Sequence, residues 1–282
     1  MKKILVPVDF SKTSIIALET AFDIAKKDGA DLIVLHVVEE ATSGSYRISG
    51  EWQKGNWEDK LYTFKLLEKA KKQLEKLVLE PRFSSVKLVG ELRLGNPFHG
   101  MNTIVSEHKV ELIVMGTKGR TKLEEMMIGT NTQKVVRHAH CPVLTVHRMP
   151  SSTSFKNIVY ATALSKDEEV FSRIVKRTQQ LYNATIHLVR INTPADFQRD
   201  REVKDYMEKF AKKLLLKNYT INVYNDTSAE EGIINFAESI NADLIAMATH
   251  GRTGLAHVLA GSMAENVVGN SLKPVLTMVV KR

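Results

Sequence analysis

The chain has 282 residues, 43% of them hydrophobic and 26% charged, with a formal net charge of +8. That length has room for two domains, each with its own core, and the balance is that of a soluble globular protein. Its longest apolar runs, such as LIVLHVV, are far too short to cross a bilayer, so a membrane span is not expected.

The basic excess is spread along the chain: residues 1–150 hold 23 basic and 18 acidic side chains, and the remainder hold 17 and 14. In EKAKKQLEKL lysine and glutamate alternate at helical spacing, as on a solvated face. A concentrated basic stripe with interleaved aromatics is missing, so nucleic acid is not an expected partner. One cysteine cannot form an internal disulfide, and MKKILVPVDF reaches Pro7 and Asp9 before any signal-like apolar core. Both features suit a reducing cytoplasm.

In chain order, KILVPVD reads as a strand. Ser11 then opens a helix whose apolar residues Ile15, Leu18, Phe22 and Ala25 share one face. DLIVLHVV is a second strand. A Gly-, Ser- and Trp-bearing segment near 41–59 lacks clear periodicity and reads as an insertion, followed by a long helix over about 60–79. VKLVGEL is the third strand. Asn96-Pro97 begins the next helix, with a side-chain acceptor at the N-cap and proline at N1. VELIVMG and CPVLTVH are the fourth and fifth strands. MPSSTS, at 149–154, reads as a linker.

After it the pattern returns. Gly119 and Gly251, Gly129 and Gly261, and Pro142 and Pro274 are each 132 residues apart. Upstream, KNIVYATALSK faces KILVPVDFSK, and His36 and His187 read as a match inside strand two. Apolar strands alternating with helices indicate a doubly wound α/β unit in each copy, built on a parallel sheet.

In such sheets ligands bind beyond the carboxyl ends of the strands, where the winding reverses. Asp9 ends strand one and Met115-Gly116 end strand four, so one crevice would collect both. Gly116 and Gly119 would let the backbone turn sharply and approach a ligand. Thr130 with Gln133, and Ser262 with Glu265, read as capping boxes just behind Gly129 and Gly261. Each would place a helix N-terminus, with its free N–H groups, where phosphate oxygens can be held. An anion site at one end of a crevice and a carboxylate at the other suit a nucleotide. The spacing is neither a Walker A loop nor the dinucleotide fingerprint.

The G-x2-G-x9-G-[ST] motif after the fourth strand, with ILVPVDFS at the front and HGRTGL followed by GS in the second copy, resembles the universal stress protein family in a tandem arrangement. The likeness covers both halves apart from the segment near 41–59. It implies two five-stranded parallel sheets of order 3-2-1-4-5, adenine nucleotide alpha hydrolase-like, over 1–148 and 155–282. It also implies ATP binding in one subgroup and pairing of domains through their final strands, here as an intramolecular pseudo-dimer. Pairing of whole chains into a homodimer stays open. Carried over residue by residue, Pro7 and Asp9 would lie at the adenine and ribose end, Val37 against the base, and Met115 and Gly116 along the strand-four edge. Gly119, Gly129, Thr130 and Asn131 would surround the phosphates of ATP, with or without Mg2+, and Arg120 would reach them or point to solvent. Lys118 stands where the family often has histidine.

The second copy departs at Ala163, in place of the aspartate, and at Ala248, in place of the first glycine. Gly251, Gly261 and Ser262 remain as an anion cradle, so a weak or empty second site is expected. The resulting expectation is an ATP-binding, nucleotide-dependent stress-response regulator without efficient catalysis. Two alternatives stand beside it. One is a slow ATPase, for which Glu124 and Glu125 are the nearby acids. The other is a protein-interaction module with a vestigial pocket. RHAHC, at 137–141, is not expected to bind metal, because zinc needs about four converging ligands and no second cluster is visible. Cys141 reads as a buried small residue. Trp52 and Trp57 read as packing the insertion onto its own domain, or as anchors for a partner.

Overall fold

The computed structural model describes residues 1–39, 57–117, 128–148, 154–164, 168–250 and 257–280. In the first half the order is β1 (Lys3–Pro7), α1 (Lys12–Asp28), β2 (Asp31–Val38), α2 (Trp57–Val78), β3 (Leu88–Leu94), α3 (Pro97–His108), β4 (Leu112–Gly116), α4 (Thr130–His138) and β5 (Val143–Val146). The second half repeats it with β6 (Asn157–Ala161), α5 (Glu169–Tyr182), β7 (Thr185–Asn192), α6 (Asp200–Leu214), β8 (Tyr219–Asn225), α7 (Ala229–Ser239), β9 (Leu244–His250), α8 (His257–Asn270) and β10 (Val275–Val280). Among the described residues no helix is long and apolar enough to cross a membrane.

Local signals account for several boundaries. The Ser11 hydroxyl accepts a hydrogen bond from the Ser14 amide and caps α1, which Gly29 ends in the left-handed region at φ 69°. Asn96 accepts from the amides of Phe98 and His99 at 3.0 and 3.2 Å, and Pro97 follows as the first helical residue of α3. The interior strands are largely apolar, because helices cover both faces, although β7 carries His187, Arg190 and Asn192. Side chains of α1, α2, α5 and α6 join one buried cluster, and those of α3, α4, α7 and α8 the other.

Within each half the strands are parallel in the order 3-2-1-4-5. The two five-stranded units form one ten-stranded sheet, β3-β2-β1-β4-β5-β10-β9-β6-β7-β8. The joint is antiparallel: Val275 faces Thr145, Leu276 faces Leu144 and Thr277 faces Val143. Two edges that would otherwise expose unpaired backbone groups thus cover one another. Equivalent threonines add reciprocal bonds, Thr145 Oγ1 to the Val275 carbonyl at 3.2 Å and Thr277 Oγ1 to that of Val143 at 3.4 Å.

The helices beside this joint correct the capping-box expectation. The N-cap of α4 is Gly129, with Thr130 as its first helical residue, and no side chain caps it. Helix α8 begins at His257, so Gly261 and Ser262 lie inside it and not at its start. Gln133 and Glu265, each read as a cap partner, instead meet across the joint. Gln133 Nε2 donates to Glu265 Oε2 at 2.5 Å, and Arg137 Nε donates to Glu265 Oε1 at 2.6 Å. Glu265 is 6% exposed, so these donors replace its water. The two residues hold the same place in their copies, and a donor facing an acceptor fits where two like carboxylates would repel. On the other face, Arg177 of α5 reaches Asp28 of α1 at 3.1 Å and Lys27 lies 4.5 Å from the Tyr182 ring centre.

One histidine match also fails. Ile4 pairs with Leu32, and Ile158 with Ile186. Counting along those strands, Arg190 takes the place of His36, and His187 takes that of Ile33.

Replacing Gln133 by Glu is expected to cost about 1–3 kcal/mol by setting two carboxylates together in a nearly dry joint. Adding Glu265→Gln to that variant should recover most of the loss, a coupling that urea unfolding of the four proteins measures.

Candidate functional site

Strands β1 and β4 are neighbours, with Ile4 facing Leu112 and Leu5 facing Ile113. The chain leaves β1 for one face of the sheet and β4 for the other. At the carboxyl ends of β1, β2 and β4 this divergence opens a crevice of about 560 Å³, within the range of small-molecule sites. Pro7, Asp9, Val37, Met115, Gly116, Gly129, Thr130 and Asn131 line it. These are eight of the ten first-copy positions singled out from the sequence; Gly119 and Arg120, with Lys118, lie outside the described residues.

Two hydrogen bonds onto main-chain carbonyls hold the α4 end of the crevice. The Gly129 amide donates to the Thr117 carbonyl at 2.8 Å, and Thr132 Oγ1 donates to the Gly116 carbonyl at 2.9 Å. They fasten the start of α4 to the end of β4. With glycine at the N-cap, the opening N–H groups of α4 are left to the crevice, at the positive end of the helix dipole.

At the other end Asp9 accepts from the Ser11 amide at 3.0 Å, and its own amide donates to Ser14 Oγ at 3.3 Å. Burial pushes the Asp9 carboxyl up, but hydrogen bonds from Ser11 and Ser14 outweigh it and hold the group below its ordinary 3.8. A carboxylate kept ionised in this way accepts hydrogen bonds from hydroxyl or amine groups of a ligand. Phe10 adopts the left-handed region at φ 60°, unusual for a bulky side chain, and its ring centre lies 4.6 Å from that of His36. His36 Nδ1 is 2.7 Å from the Val8 carbonyl. Only a protonated ring nitrogen can donate there, which orients the imidazole. Phe10 and the α2 residues Leu66, Lys69, Ala70 and Gln73 also line the crevice and were not among the residues singled out; His36, named in the sequence as a strand-two residue packed in the core or near the site, lines it too. A left-handed phenylalanine leaves no mark in a sequence, and the polar positions of α2 read there as a solvated face.

Gly116, which lines the crevice, also meets a steric demand from within the protein. A Cβ there would lie 2.9 Å from both the carbonyl carbon and the oxygen of Thr13. The glycine lets the first turn of α1 sit against the end of β4, so its neighbour is protein backbone.

The second half is built differently at the same place. Ala163 and Glu168 hold the positions of Asp9 and Ser14, and Leu164 repeats the left-handed turn of Phe10 at φ 60°. Glu168 is 1% exposed. It accepts from Tyr160 Oη at 2.9 Å, Thr162 Oγ1 at 2.7 Å and the Ala163 amide at 3.0 Å. The carboxylate missing from strand β6 therefore returns from the following helical turn, already bonded by its own half. Of the second-copy positions, Gly261 and Ser262 lie within α8 and Gly251 lies outside the described residues, as do Trp52, Glu124 and Glu125.

The remaining candidates fall elsewhere. Cys141 is buried, and burial pushes its thiol up to about 12, against a smaller lowering by a backbone hydrogen bond. His138 ends α4 with its ring 6.0 Å from that of Phe98. Among the described residues no group of three or more His, Cys, Asp or Glu side chains is placed to hold a metal. Trp57 opens α2 and is 70% exposed, so it does not pack onto its own half as expected.

Comparison with known proteins matches the universal stress protein family twice, over residues 1–147 and 154–279. The chain belongs to the universal stress protein family. Two universal stress proteins of Methanocaldococcus jannaschii are similar to it. MJ0531 is 32% identical over 147 residues, which cover 52% of this chain and 82% of the relative. MJ0577 is 31% identical over 158 residues, which cover 53% and 97%. Each single relative thus spans about one half. Over nearly the full length, the crystal structure of a universal stress protein from Archaeoglobus fulgidus has the same fold, with a TM-score of 0.75 at 19% identity and 98% of each chain covered.

Gly116→Ala is expected to destabilise the chain by about 1–3 kcal/mol, because the methyl group meets backbone that cannot turn aside; thermal unfolding measures it. The lowered value of Asp9 sets a pH window. It adds stability above its unfolded value and loses it as pH falls through the folded one. Asp9→Asn should therefore lower the melting temperature at pH 7, and by less as the pH falls below the ordinary carboxyl value and through the lowered folded one.

Proposed function

We propose that the first half binds an adenine nucleotide, ATP in the first instance, in the crevice between Asp9 and the start of α4. The observation that carries this reading is that a hydrogen-bond-stabilised carboxylate and a helix N-terminus without a side-chain cap line one crevice. The base and ribose would lie toward Asp9, Pro7 and Val37. The phosphates, free or with Mg2+, would lie toward Gly129, Thr130 and Asn131; the family resemblance adds Gly119 as a phosphate contact, and Arg120 as one that reaches the phosphates or points to solvent. Membership of the universal stress protein family supports the same assignment.

On this reading the chain is a cytoplasmic stress-response regulator whose nucleotide occupancy sets its state, without efficient turnover. Its two domains, 1–148 and 155–282, joined by 149–154, act as an intramolecular pseudo-dimer, and whole chains can pair further. The second domain binds nucleotide weakly or not at all. The buried Glu168 supports this asymmetry, since its carboxyl group already accepts from Tyr160, Thr162 and Ala163 of its own half and is not left for the hydroxyl or amine groups of a base or ribose.

Isothermal titration of the full chain with ATP is expected to give one site per chain. Asp9→Ala should weaken that site by about 0.5–3 kcal/mol. Two equivalent tight sites would reject the asymmetry. Rapid ATP hydrolysis abolished by Asp9→Ala would favour an enzyme, and neither binding nor a thermal shift at millimolar ATP would favour an interaction module.

A further inference from the structure

The crevice has a third wall, supplied by α2. Leu66, Lys69, Ala70 and Gln73 line it, and the spacing 66, 69, 73 sets three of them along one stripe of the helix. Lys69 is the one lysine or arginine among the described residues that line the crevice. Its helical neighbours offer no counter-charge: Lys65 lies one turn before it, and Lys72 and Gln73 one turn after. Lys71, by contrast, pairs with Glu75 at 3.8 Å. Among the described residues no ion pair engages Lys69.

The second half sharpens the point. Aligning the buried positions Ala70, Leu74 and Leu77 of α2 with Met207, Ala211 and Leu214 of α6 puts Tyr206 and Phe210 where Lys69 and Gln73 stand. The Phe210 ring lies 6.1 Å from that of Tyr160, beside the bonded Glu168. Where the strand ends are occupied by the protein's own side chains, the cation is replaced by an aromatic ring. Where the crevice is open, an ammonium group lines it.

We propose that Lys69 is a ligand-binding residue that meets an anionic group of phosphate type, opposite the amides at the start of α4. The proposal rests on the nucleotide reading for the identity of the ligand, but not for the charge that Lys69 recognises. An exposed lysine on a flexible stem meets such a group as a point charge and loses little on truncation when no ligand is present.

The test compares the full chain with Lys69→Met and with a control on the same helix, Lys72→Met, by titration with ATP, adenosine and inorganic tripolyphosphate. Lys69→Met is expected to weaken ATP and tripolyphosphate by about tenfold. It should leave adenosine binding and the melting temperature unchanged and flatten the salt dependence of ATP binding. Lys72→Met should alter none of these. The proposal is overturned if Lys69→Met binds ATP and tripolyphosphate as the unaltered chain does, or if it loses adenosine in the same proportion. Tripolyphosphate binding that depends on Lys69, with no added affinity for ATP, upholds the proposal and sinks the nucleotide reading; a chain that binds none of the three probes sinks both.

Discussion

Gly116 passes so close to Thr13 that a single methyl group does not fit between them. That approach ties the end of β4 to the first turn of α1, and the geometry of the crevice depends on it. It brings Ser11 and Ser14 beside the strand ends, where they hold the Asp9 carboxylate. From the same glycine the chain runs to Thr117, whose carbonyl receives the Gly129 amide, while the Gly116 carbonyl receives the Thr132 hydroxyl. One steric constraint thus positions both ends of the crevice, the acid and the helix start. The charges follow from the packing.

Beyond the crevice, α4 reaches the joint between the halves. The helix that offers its first amides to the crevice carries Gln133 and Arg137 one and two turns later, both bound to Glu265. Repetition alone would place equal residues opposite one another at such a joint. Here the two copies have diverged so that an amide and a guanidinium meet a buried carboxylate. The strand ends have diverged as well. The left-handed turn survives in both copies, at Phe10 and Leu164, but one copy keeps an open crevice and the other bonds Glu168 internally.

The sheet was legible because alternation and repetition are properties of many residues at once. The 3-2-1-4-5 order that each half keeps is what the family resemblance implies, whereas the caps at Ser11 and Asn96 follow from side chains that act within three residues of themselves. No single strand shows which edge will cover it; pairing through the final strands is what the family resemblance implies, and the β5–β10 joint of the ten-stranded sheet lies there. Thr130 and Ser262 were misread for a related reason. Gly-Thr and Gly-Ser followed by Gln or Glu carry the signature of a capped helix start, yet the Gln133 and Glu265 partners lie across the joint. Glu168, within KDEEV, reads as surface charge until the fold buries it. Lys69 reads as one more lysine on a solvated helix until α2 is seen to wall the crevice. Sequence patterns reported the backbone well, and reported poorly the side chains whose partners lie far along the chain.

The most direct measurement is a crystal structure of the full chain grown with a non-hydrolysable ATP analogue. The account predicts one nucleotide per chain, lying in the first-half crevice with its sugar or base bonded to Asp9 and its phosphates against the amides of Thr130 and Asn131. A nucleotide bound in the second half instead, or a first-half crevice left empty at millimolar analogue, would contradict it.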